Sequence, residues 1–111
     1  MIMENVDFAH EMMVVGGMIQ NPERCADFAI ASLQPDSFAD PDIGALFQII
    51  ADRYRSNESV MSESLIVDLR KKIGVNAIRL MADLIEKSFG FDHWNFPYYV
   101  SRVQDLSLIH I

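Results

Sequence analysis

Few side chains in this 111-residue chain could do chemistry: one cysteine and three histidines, among sixteen Asp and Glu. His10-Glu11 opens like H-E-x-x-H, the helical pair in which two histidines four apart bind zinc and the Glu acts as base. The position of the second histidine holds Val14, so the zinc reading fails. Cys25 has no Cys or His partner at ligand spacing, and its neighbours Ala26 and Phe28 predict a packed thiol rather than a nucleophile. Asp92-His93 sets an acid beside an imidazole, but no nucleophile in a convincing context accompanies it. No G-x-x-x-x-G-K-[ST] occurs, so nothing cradles nucleotide phosphates. These residues predict no catalytic group, no metal site and no cofactor site in this chain.

Composition narrows the class further. Half the residues are hydrophobic, which suffices for one core in a single small domain. The formal charge is −7, and the nine basic residues are scattered. A domain that grips nucleic acid through phosphates clusters Lys and Arg on one face. The densest basic group, Arg70-Lys71-Lys72, fits a helix C-terminus, where cations complement the negative end of the dipole. One cysteine excludes an internal disulfide framework and fits a reducing compartment. The longest apolar run, Met12 to Ile19, falls far short of the roughly twenty residues that span a bilayer. The start M-I-M-E-N-V-D lacks a basic n-region, so a cytoplasmic protein without membrane contact is expected.

The elements that must carry these residues read as helices. Phe8, Met12, Val15 and Ile19 share one face of a helix from about Asp7 to Gln20. Gly16 and Gly17 in its interior predict close approach of another helix. Asn21 and Pro22 suit the N-cap and first turn of a second helix to about Ser32, with Cys25, Phe28 and Ala29 inward. Pro35 then breaks the pattern, with Leu33 and Phe38 pointing back to the core. Asp40 and Pro41 repeat the cap-and-proline device, and Ile43, Leu46, Phe47, Ile50 and Tyr54 form the cleanest stripe. A fourth helix is expected from about Ser62, its N-cap, to Ile73, with Leu65, Leu69 and Ile73 spaced four and four and Gly74 as its stop. A fifth follows from about Asn76 to Lys87, with Ile78, Met81 and Ile85 on one face and Leu80 and Leu84 beside them. After an aromatic loop, Asn95 and Pro97 restart a helix from about Phe96 to at least Asp105. The expectation is an all-α, small compact multi-helix domain of about six helices.

The residues Glu11, Val14, Gly16, Gly17, Asn21, Pro22, Leu33, Pro35, Phe38, Leu46 and Phe47 carry a pattern that resembles the N-terminal domain of the DnaB-type replicative DNA helicases. That family reads E-x-x-V-L-G-[small]-[apolar]-[apolar]-x-[DN]-P, then L-x-P-x-x-F, then H-x-x-[IL]-[FY]. Here E-M-M-V-V-G-G-M-I-Q-N-P, L-Q-P-D-S-F and I-G-A-L-F fill those slots in order. W-N-F-P-Y-Y-V-S-R-V resembles the family's A-N-[apolar]-x-x-Y-A-x-x-V segment. Ile43 stands where the family has His, Met61 where it has Asp, and Val15 where it has Leu, which implies a divergent member, from a phage or plasmid. The ending L-S-L-I-H-I departs from the pattern. It suggests a collar domain over residues 1–105 and a foreign or truncated tail over 106–111, where the family enters a helical hairpin.

The resemblance implies the collar domain of a hexameric helicase that receives primase and a helicase loader and pairs with other helicase subunits. ATP and Mg would belong to the parent's missing P-loop domain, and DNA would be reached only through the parent assembly. Two further readings carry weight: the helicase-binding domain of a primase, and a phage protein that caps a host helicase. An unrelated small enzyme is a third, for which the sequence offers no site.

Overall fold

The computed structural model describes residues 5–60, 63–87 and 95–109. Among them are six α-helices and no strand: α1 (Asn5–Gln20), α2 (Pro22–Ser32), α3 (Pro41–Arg55), α4 (Glu63–Ile73), α5 (Asn76–Lys87) and α6 (Phe96–Ile109). A 3-10 turn, Pro35–Ser37, separates α2 from α3. The radius of gyration is 12.7 Å, against about 13 Å for a packed domain of 100 residues, so the helices close on one another.

Local chemistry sets most boundaries. Pro22 and Pro41 each occupy a first helical turn, where a missing N–H costs nothing. The Asp40 carboxylate accepts from the N–H groups of Asp42 (2.8 Å) and Ile43 (3.4 Å). Gly74 ends α4 with φ 72°, a left-handed conformation that suits glycine, and Arg70, Lys71 and Lys72 fill the last turn before it. Asn21 sits at the N-cap position of α2 but makes no side-chain cap bond, so only its position matches the sequence expectation. Ser62, expected to cap α4, lies outside the described residues, as does the aromatic loop with Asp92 and His93.

α1 is the axis of the domain and touches α2, α3, α5 and α6. Its expected single face is an underestimate. Met12, Val15 and Ile19 are buried, but so are Glu11, Val14, Gly16, Gly17 and Met18. A helix apolar on all sides must be enclosed by neighbours. α3 packs against α1, α2 and α4 and buries Ile43, Leu46, Phe47, Ile49 and Ile50, with Tyr54 half-buried at its end. Phe38, from the turn, lays its ring 5.0 Å from that of Phe47. α6 lies along α1 and α2, where Gln104 donates to the Ser32 carbonyl at 3.0 Å.

One inward assignment, Phe28, fails, and on α5 burial divides the apolar residues. Phe28 is 43% exposed, with its ring edge-on to Phe96 at 6.2 Å, and Ala26 takes the buried place on α2. On α5 the buried row is Ala77, Leu80 and Leu84. Ile78 and Ile85 point outward, at 59% and 72% exposure, and Met81 is half-buried between the rows. α5 is apolar over a wide arc, and its neighbours α1 and α4 cover only part of it.

One close approach that requires glycine lies on α3. A Cβ added at Gly44 would fall 2.6 Å from the Pro35 carbonyl oxygen, a backbone atom that cannot swing away. Gly44→Ala therefore sets overpacking of about 1–3 kcal/mol against a helix-propensity gain of about 1 kcal/mol, and urea melts should show a net loss; a gain would mean that the turn does not press on α3. Phe47→Ala should cost about 3–5 kcal/mol by leaving a ring-sized cavity, and a loss under about 1 kcal/mol would remove α3 from the centre of the core.

Candidate functional site

The most distinctive polar arrangement surrounds Glu11. This carboxylate is fully buried on α1 and accepts from the backbone N–H of Ala39 at 2.7 Å and of Asp40 at 3.3 Å. Asp40 in turn satisfies Asp42 and Ile43, and Pro41 has no N–H to satisfy. Two carboxylates thus serve every donor from Ala39 to Ile43 and face the positive end of the α3 dipole. Backbone donors fixed in this way orient a segment; they leave no lone pair aimed at a substrate.

The remaining polar contacts are also ties between elements. Arg53 is 8% exposed; it pairs with Asp68 on α4 and donates to the Ser59 carbonyl at 3.2 Å. Desolvation, then the neighbouring Asp27 carboxylate and the negative charge of Glu23, hold the Tyr54 pKa above the usual phenol range. Burial pushes the Cys25 thiol up against the opposing pull of Arg24, so it stays protonated and inert at neutral pH. His10 packs between the rings of Tyr98 (5.6 Å) and Tyr99 (5.8 Å) of α6. Among the described residues no group of three or more His, Cys, Asp or Glu is placed to hold a metal ion.

Clefts open between the elements. One, about 480 Å³, lies between the Pro35 turn and α3, with Gln48 and Lys72 at its rim. A second, about 370 Å³, adjoins Arg53, Asp68 and Lys71. A third, about 330 Å³, has Asp40, Asp42 and Asp83 around Arg79. None brings a nucleophile together with a base, and the Asp40 carboxylate is committed to its cap.

The residues marked out by sequence occupy one connected region. Glu11, Val14, Leu33, Phe38, Leu46 and Phe47 are buried, as are Gly16 and Gly17. Asn21, Pro22 and Pro35 are half-buried at the breaks between elements. Three features escaped sequence reading. The acceptor role of Glu11 joins positions 28 and 29 residues apart, for which no local signal exists. Gly44 lies within the α3 stripe, where a glycine among Ile43, Leu46 and Phe47 is itself the signal. Arg53 continues that stripe after Ile49 and Ile50, and its burial could have been inferred from that register.

Comparison with known proteins gives one consistent direction. The family described as DnaB-like helicase N terminal domain matches residues 3–105. The crystal structure of the N-terminal domain of DnaB helicase from Mycobacterium tuberculosis is similar in fold, with a TM-score of 0.76 and 24% sequence identity; the match covers 92% of this chain and 73% of that one. No curated protein matches the sequence. No helix among the described residues is long and apolar enough to cross a membrane.

Removing the Glu11 acceptor strands the Ala39 and Asp40 donors. Bonds to a charged group are worth about 1.5–3 kcal/mol each, and an orphaned buried donor costs about 1–3 kcal/mol. Glu11→Ala should therefore destabilise by about 3 kcal/mol, whereas Glu11→Gln, which keeps one acceptor oxygen, should lose about half of that. Chemical denaturation of both variants checks this, and equal, small losses would contradict it.

Proposed function

Because this chain belongs to the DnaB-like helicase N-terminal domain family, we propose that it is the assembly and primase- or loader-interaction domain of a replicative DNA helicase acting in DNA replication. The match across residues 3–105 is the observation that carries this reading. The physical character of the domain supports it. Its polar side chains tie helices together, and exposed apolar residues remain on α2, α4, α5 and α6. Surfaces of that composition suit protein contacts, where aliphatic and aromatic side chains do the packing.

In this reading the domain is the collar of a hexamer formed with other helicase subunits. Unwinding and ATP hydrolysis with Mg belong to a P-loop domain of the parent protein, and DNA is engaged by the assembly. The acidic balance of this chain, −7, fits a domain that meets proteins and leaves the phosphates to others.

Titration of the chain with a primase C-terminal domain tests the proposal. Saturable binding in the micromolar range, with no ATP hydrolysis by the chain alone, is the expected result. Absence of binding to that domain and to a helicase loader, or an ATPase activity intrinsic to the purified chain, would overturn it.

A further inference from the structure

We draw no further inference here: the strongest candidate, the exposed apolar patch of Val75, Ile78 and Ile85 along the outer side of α5, is an unpartnered face, and nothing among the described residues shows what covers it.

Discussion

Glu11 has no exposed surface, and its carboxylate accepts from two backbone N–H groups contributed by a segment nearly thirty residues away. A buried carboxylate without such donors would be severely destabilising. The requirement works in both directions. α1 must present Glu11 at one rotation, and the chain must arrive at α3 with Ala39 and Asp40 turned inward. The rotation that seats Glu11 also places Met12, Val15 and Ile19 in the core. The turn that delivers Ala39 is the one that brings Phe38 onto Phe47 and presses the Pro35 carbonyl against Gly44. One polar contact therefore fixes the register of the domain's axis against its second scaffold helix.

From α3 the order passes to the rest of the fold by contacts of decreasing stringency. Arg53 ties α3 to Asp68 on α4 and to the Ser59 carbonyl that precedes it. Asp68 is 45% exposed, so water screens the ion pair. The arginine contributes as much by its packed stem and by its bond to the carbonyl as by its charge. α5 closes only part of its apolar circumference, which leaves Ile78 and Ile85 exposed.

How much of this the sequence revealed follows from the range of each interaction. Helix existence, the proline starts at Pro22 and Pro41, the Asp40 cap and the Gly74 stop are set within four residues, and they match the structure. Burial was legible where apolar residues repeat on one face, as on α3. It stayed open on α5, because the helix is apolar over more arc than its neighbours can cover, and periodicity does not say which part they take. The same limit hid the near-complete enclosure of α1. As for the site, Glu11 stood out by its place in a family pattern, but its partners depend on the return of a distant turn. Gly44 needed knowledge of the Pro35 carbonyl overhead. The conclusion about family rests on several short motifs in fixed order, agreeing with a match over residues 3–105.

The most direct test of this account is amide hydrogen exchange at Ala39, read by NMR on the intact chain under native conditions. Ala39 lies outside every helix, and its N–H has a side chain as acceptor instead of a helical carbonyl. If the Glu11 contact holds the domain together, that amide should be protected to nearly the same degree as amides in the centre of α1 and α3, because it opens only when the core does. Exchange at the rate of an open loop, with the α1 amides still protected, would show that α1 and α3 keep their register without it and would contradict the account.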